Sequence, residues 1–271
     1  MQKIIIIAGN GLLPINIINS FISQKFDFFT LIISESGWDK KIQSYDHKFV
    51  KLGSILTELI KLKKCGFDKV VLAGGIKRPS LRNIKPDLNT LKIIPKFTKV
   101  LFKGGDNLLL KFVIEELEKN GIEVLNIKRI VPQLFLSDGF FSKKKFTSSV
   151  EIDIQKGKEI LDNLSKYDVG QSIIMQQGDV VGIEALEGTD ELINRCSSLF
   201  KDGNKPTLIK LMKKNQEVKA DLPTIGPNTI KLCKKYSIGG IAYSADNTLF
   251  IDSKKVIKDI NNNKMFLYGL K

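Results

Sequence analysis

Residues 3–8, KIIIIA, constrain the fold more than any other stretch of this chain. Four consecutive isoleucines leave no polar face for water, so a strand made of them needs cover on both sides. Gly9, Asn10 and Gly11 end the run, and Pro14 suits the first turn of a helix directed towards Gln24. A buried strand, a glycine turn and a helix open a βαβ unit. The pattern recurs. Residues 28–33 read as a strand, 55–64 as an amphipathic helix with Gly66 at its C-cap, and 69–73 as a strand. Asp106 reads as the N-cap of a helix that Gly121 closes, with a further strand over 122–127. These alternations predict an α/β fold with a Rossmann-like, doubly wound domain over residues 1–131.

The rhythm lapses in "VPQLFLSDGFFSKKKFTSS", so 132–149 is read as a linker and 150–271 as a distinct C-terminal α/β domain. There Asp153 is taken to cap a helix. "QSIIMQQGDVVGIEA" reads as two strands joined at Gly178-Asp179, and Thr189 as the N-cap of a helix. Residues 207–212 read as a strand, 228–236 as a helix and "GGIAYSADNTLFID" as a second hairpin.

Composition narrows the chemistry. With one histidine and three scattered cysteines, no zinc ligand set and no Ser-His or Cys-His nucleophile can be assembled. Acid–base work falls to carboxylates, Lys, Tyr or a metal-bound water. No run approaches the roughly 20 apolar residues of a membrane span. Unpaired cysteines point to a cytoplasmic protein. The net charge of +14 suits nucleic acid, an anionic membrane surface or a phosphate-rich ligand, and fits compositional drift as well. No basic helix with interleaved aromatics is apparent, so nucleic acid is not the expected partner.

Five motifs carry possible chemistry. In "AGNGLLP", Gly9, Asn10, Gly11 and Leu12 follow a strand and open a helix, a place where backbone N–H groups can meet a phosphate or sugar. Pro14 replaces the third glycine of a dinucleotide fingerprint, while Glu35 sits where a ribose ligand would. A nicotinamide-dependent oxidoreductase is therefore one alternative, and a plain tight turn another. "AGGIKRPSL" brings Gly74, Lys77 and Arg78 to a strand's carboxyl end, and "KGGDNLL" offers Asp106 at a helix start. "EALEGTDEL" clusters Glu184, Glu187 and Asp190, either as Mg2+ ligands or as acids favoured at a helix N-terminus. In "VKADLPTIGPNTIKL", Pro223, Gly226 and Pro227 stiffen the chain just after Asp221, making that acid the best candidate for a base or metal ligand.

Taken together, "IAGNGLLP", "GGIKRP", "KGGDNLLL", "VGQSIIMQQGDVVGIEALEGTDELINR" and "KADLPTIGPNTI" stand in the order and spacing of one family. The chain resembles the LpxI-type UDP-2,3-diacylglucosamine pyrophosphatases of lipid A biosynthesis from Lys3 to Gly269. The resemblance implies two domains with the substrate site between them. It also implies Mg2+-dependent hydrolysis of UDP-2,3-diacylglucosamine to 2,3-diacylglucosamine 1-phosphate (lipid X) and UMP. Asp221 matches the family's catalytic aspartate, and Glu187 and Asp190 are taken here as secondary candidates for metal or substrate contacts. Gly9, Asn10, Gly11, Leu12, Gly74, Arg78, Asp106, Gln177, Thr189, Lys219, Thr224 and Gly226 are the candidate substrate contacts, with Gly9–Leu12, Arg78 and Asp106 expected at the uridine or phosphates. Lys219 stands where the family pattern has Arg, keeping the charge and losing the bidentate fork. A homodimer held peripherally at the cytoplasmic side of the inner membrane is also implied.

Overall fold

The computed structural model describes residues 2–76, 85–103 and 105–271, with Lys103 and Asp106 described by their backbone. The chain parts into two compact units, Met1–Pro132 with Glu217–Asp221, and Gln133–Gln216 with Leu222–Lys271.

The described residues of the first unit form five strands: β1 (Lys3–Ala8), β2 (Asp27–Ile33), β3 (His47–Val50), β4 (Lys69–Ala73) and β5 (Glu123–Val124). They lie in the order β3-β2-β1-β4-β5, all parallel. The isoleucine run is β1, at the centre of the sheet. Ile4, Ile5 and Ile6 have no exposure and Ile7 has 3%. Ile5 and Ile7 pack with Leu59 of the helix Ile55–Lys64 and Leu117 of the helix Asp106–Lys119. Side chains alternate along a strand, so Ile4 and Ile6 face the opposite layer. The helix Leu13–Ser23 buries Ile17, Ile18 and Phe21 completely. This is the doubly wound arrangement expected from the sequence.

Some local features differ from the sequence reading. β3, with the sequence HKFV, was not anticipated, because a short half-polar edge strand leaves little periodic signal. The strand expected over 122–127 stops at Val124, since the Asn126 side chain accepts from Lys128 N–H at 2.9 Å and starts a short helix, Ile127–Ile130. Gly105, not Asp106, takes the N-cap position, and Cys65 rather than Gly66 the C-cap. A basic helix with interleaved aromatics does exist: Ile94–Lys103, IPKFTKVLFK.

The second unit contains a mixed sheet. Its strands are β6 (Gly139–Phe140), β7 (Ser172–Gln176), β8 (Asp179–Ile183), β9 (Thr207–Lys210), β11 (Gly240–Ser244) and β13 (Phe266–Leu270). Their order is β6-β13-β11-β9-β7-β8. β13, β11 and β9 run parallel, while β6, β7 and β8 are antiparallel to β13, β9 and β7 respectively. One face buries Ile174, Leu208, Ile241 and Leu267 with Ile193, Ile230 and Phe250. The other buries Ile173, Met175 and Ile209 against Ile154 and Leu161 of the helix Ser148–Leu164. The stretch 132–149 supplies β6, and its Phe140 and Phe146 rings lie 4.6 and 5.0 Å from Tyr268.

The expected second hairpin is absent. Both edges of β11 are already paired, so the chain turns away at Ser244, whose carbonyl accepts from the Thr248 hydroxyl at 2.9 Å. It then forms β12 (Leu249–Phe250), which pairs in parallel with β10 (Thr224–Ile225). Asp153 is no cap either. It lies inside its helix and accepts the N–H groups of Gln177 (2.9 Å) and Gly178 (2.6 Å), fixing the turn from β7 to β8. Among the described residues no helix is long and apolar enough to cross a membrane.

Candidate active site

The glycine turn after β1 is shaped by its contact with the end of β4. Gly9 N–H donates to Ala73 O at 2.8 Å, and Asn10 and Gly75 exchange backbone bonds of 2.7 and 3.0 Å. A Cβ on Gly9 would stand 2.5 Å from the Gly75 oxygen. Gly74 has φ +83° and its Cβ would meet the Asn10 oxygen at 2.4 Å, so both positions need glycine for close approach. Gly11 (φ +93°) donates to Asn10 Oδ1 at 2.7 Å, and Leu12 stands exposed beside it.

A pocket of about 200 Å³ opens here, lined by Asn10, Ser36, Gly37, Gly75 and Ile76. It lies where β1, β2 and β4 end, the edge at which open parallel sheets bind ligands. Ser36 is 6% exposed, and its hydroxyl oxygen has no hydrogen-bond partner among the described residues. The sequence reading passed over Ser36 in favour of Glu35. The Glu35 carboxylate instead accepts from Leu52 N–H at 3.2 Å. Lys77 and Arg78 lie outside the described residues, as does the Asp106 side chain.

Asp221 ends a short segment that returns to the first unit. Ala220, partly buried, packs against that unit's core, which includes Ile114 and Leu117. Glu217 N–H donates to Asn107 Oδ1 at 3.0 Å, and the Lys219 ammonium meets Glu118 Oε1 at 2.6 Å. Asp221 N–H closes the turn on Glu217 O at 2.9 Å. The half-buried Asp221 side chain thus stands on a backbone pinned by an ion pair, two hydrogen bonds and an apolar contact. Lys219 has its own role in that pinning.

The residues after Asp221 belong to the second unit. Thr224 begins β10 and its hydroxyl donates to Leu222 O at 3.1 Å. Gly226 takes the N-cap of the helix Pro227–Lys235. Asn228 and Thr229, in that helix's first turn, donate to Asp190 at 2.5 and 3.3 Å. Two motifs far apart in sequence therefore meet at Asp190. Thr189, buried beside it, receives the Lys210 ammonium and reaches Ser172 and Glu184.

Glu187 is committed elsewhere. Arg195 donates to its Oε1 at 3.0 and 2.8 Å, and Ala185 N–H to its Oε2 at 3.1 Å. Its own backbone N–H and the Arg195 guanidinium hold its carboxyl below the usual carboxylate range. Gln177 sits in the β7–β8 turn at φ +52° and donates its amide to Asp202 O. Among the described residues, no group of three or more His, Cys, Asp or Glu side chains is arranged to hold a metal ion. Mg2+ fits a sparser donor set, since it keeps several waters and binds through one or two carboxylates plus substrate phosphates.

Comparison with known proteins covers both units. Residues 3–134 match the family model described as LpxI N-terminal domain, and 137–268 match that described as LpxI C-terminal domain. A Caulobacter vibrioides protein named UDP-2,3-diacylglucosamine pyrophosphatase LpxI is 29% identical over 276 residues, spanning 100% of this chain and 98% of that protein.

Proposed function

The chain belongs to the LpxI family, and from that premise we propose that it hydrolyses the diphosphate bond of UDP-2,3-diacylglucosamine in lipid A biosynthesis. The products would be 2,3-diacylglucosamine 1-phosphate and UMP. The observation that carries the reading is the match of both domains together with a relative of that name along the whole chain. The oxidoreductase alternative has no counterpart in these comparisons, and the acid it relied on, Glu35, is turned to Leu52 N–H.

Asp221 is the carboxylate we assign to the reaction, as base towards the attacking water or as ligand to Mg2+. Mg2+, when bound, supplies positive charge to the diphosphate oxygens. Asp190, oriented by Asn228 and Thr229, is the second acid we assign. Glu187, held by Arg195, we assign to the fold. The glycine turn at Gly9–Leu12 offers backbone N–H groups to the nucleotide. Peripheral attachment to the inner membrane and a homodimer belong to the same proposal.

The test is UMP release from UDP-2,3-diacylglucosamine, with and without Mg2+, by the unaltered chain and by Asp221→Ala. Turnover that needs Mg2+ and disappears in the folded variant supports the assignment. No turnover by the unaltered chain in detergent with several divalent metals rejects it.

A further inference from the structure

The stretch from Leu88 to Leu108 in the first unit carries an unusual load of exposed apolar side chains. Leu88 is 82% exposed, Leu91 54%, Phe102 78% and Leu108 52%. They stand on the short helix Leu88–Leu91, at the end of the helix Ile94–Lys103 and at the start of the helix Asp106–Lys119. The stretch is also anchored. Ile93 packs against the sheet's core, and the Phe97 ring lies 6.2 Å from that of Phe112. Exposure of the other four is therefore a property of a fixed element.

Charge decides what could cover them. Residues 88–108 contain Lys92, Lys96, Lys99 and Lys103 against a single acid, Asp106. The side chains of Lys92, Lys96 and Lys99 are exposed, and none forms an ion pair among the described residues. Large apolar tips interleaved with unneutralised lysines are the composition of an element that lies in a membrane interface. Lysine stems reach past the apolar layer while their ammonium groups stay with the phosphates. Single-stranded nucleic acid would want aromatic platforms, and three of the four tips are leucines, which cannot stack on bases.

We propose that the exposed side chains of Leu88, Leu91, Phe102 and Leu108, with the lysines between them, dock the protein on an anionic phospholipid bilayer. Leu88, Leu91, Phe102 and Leu108 enter the headgroup layer, and Lys92, Lys96 and Lys99 meet its phosphates. The proposal rests on the functional reading above, in which the substrate carries two acyl chains and resides in such a bilayer, and it gives the proposed membrane attachment a definite surface.

The experiment is co-sedimentation of the full chain with vesicles of phosphatidylethanolamine and phosphatidylglycerol, and with vesicles of phosphatidylcholine alone. Three proteins are compared: the unaltered chain, Leu88→Asn/Phe102→Asn, and Lys92→Glu/Lys96→Glu/Lys99→Glu. All substituted positions are exposed, and circular dichroism checks that each variant folds. We expect the unaltered chain to bind the anionic vesicles at least tenfold more tightly than the neutral ones, with each variant losing about tenfold or more. UMP release from a short-chain, water-soluble substrate analogue should not change in either variant. Equal vesicle binding by all three proteins, or none by the unaltered chain, overturns the proposal. So does loss of turnover on the soluble analogue with vesicle binding intact, which would make this face a seat for the substrate's acyl chains. Duplex or single-stranded DNA bound more tightly than vesicles, and lost in the same variants, also overturns it. Vesicle binding is read without turnover, so an inactive chain that still binds would reject the enzymatic reading alone.

Discussion

Two acidic turns of this chain look alike in sequence and behave differently in structure. Glu184–Asp190 and Glu217–Asp221 each offer carboxylates beside a helix or strand end. In the first, Glu187 spends both oxygens on Arg195 and Ala185, so its charge is consumed in closing a turn. In the second, neighbours fix the backbone that carries the terminal acid. Asn107 takes Glu217 N–H, Glu118 takes the Lys219 ammonium, and Ala220 packs against the core. An acid that holds structure gives up its lone pairs, whereas an acid used in chemistry is placed by its neighbours. Glu187 is of the first kind, and we assign Asp221 to the second.

The largest effect should come from Asp221→Ala. Turnover is expected to fall by about 10²–10⁴-fold, the usual contribution of a positioned proton acceptor, with the melting temperature little changed. Equal losses of turnover in Asp221→Ala and Glu187→Gln would erase the distinction between the two turns.

Loosening the pin is the next step down. Lys219→Ala removes the ion pair with Glu118, whose side chains are 33% and 42% exposed. Such pairs contribute up to about 1 kcal/mol to stability. If that pair aims Asp221, kcat should drop by about threefold to tenfold while the urea midpoint barely moves. A kcat unchanged within error would mean that Asn107 and Ala220 fix the segment without it.

The fold was legible where one residue pattern decided one layer. KIIIIA required burial on both faces, and it became the central strand β1. Partner choice was not legible. "GGIAYSADNTLFID" has the alternation of a hairpin, yet which strands flank β11 is settled by Phe266–Leu270 and Thr207–Lys210, far away in sequence. Asp153 read as a cap because local sequence cannot show the Gln177 and Gly178 N–H groups that arrive from another element. At the candidate site Asp221 stood out through its prolines. The return of Glu217–Asp221 to the first unit, the meeting of Asp190 with Asn228 and Thr229, and the Ser36 hydroxyl, without a hydrogen-bond partner among the described residues, all depend on tertiary contacts.

Glu187→Gln sharpens the comparison through pH. The carboxyl of Glu187 titrates lower in the folded chain than in the unfolded one. Its contribution is therefore complete above the ordinary glutamate value of about 4.3 and is lost as pH falls through the lower, folded value. The unaltered chain should lose more stability than Glu187→Gln between about pH 5 and pH 3. Other depressed acids, among them Glu58 and Asp179, are present in both proteins and drop out of the difference. At neutral pH the variant should be less stable by up to about 1 kcal/mol. Parallel acid unfolding curves would show that the Arg195 contact contributes nothing.

The smallest effect is one of access, and it reports on the second unit alone. Cys65 is exposed, whereas Cys196 and Cys233 are buried in that unit's core. Burial pushes both buried thiols up, away from the reactive thiolate. A thiol reagent at neutral pH should therefore modify Cys65 quickly and the other two only as the unit opens. Cys196 follows Arg195 directly, and its thiol lies 3.8 Å from the guanidinium that Glu187 holds. Glu187→Gln should accordingly speed modification of Cys196 by a few-fold, in step with its loss of stability. Asp221→Ala should leave that rate alone, because the segment bearing Asp221 is packed into the other unit. If Asp221→Ala accelerated Cys196 as much as Glu187→Gln does, Asp221 would also hold structure, and the contrast between the two acidic turns would fail.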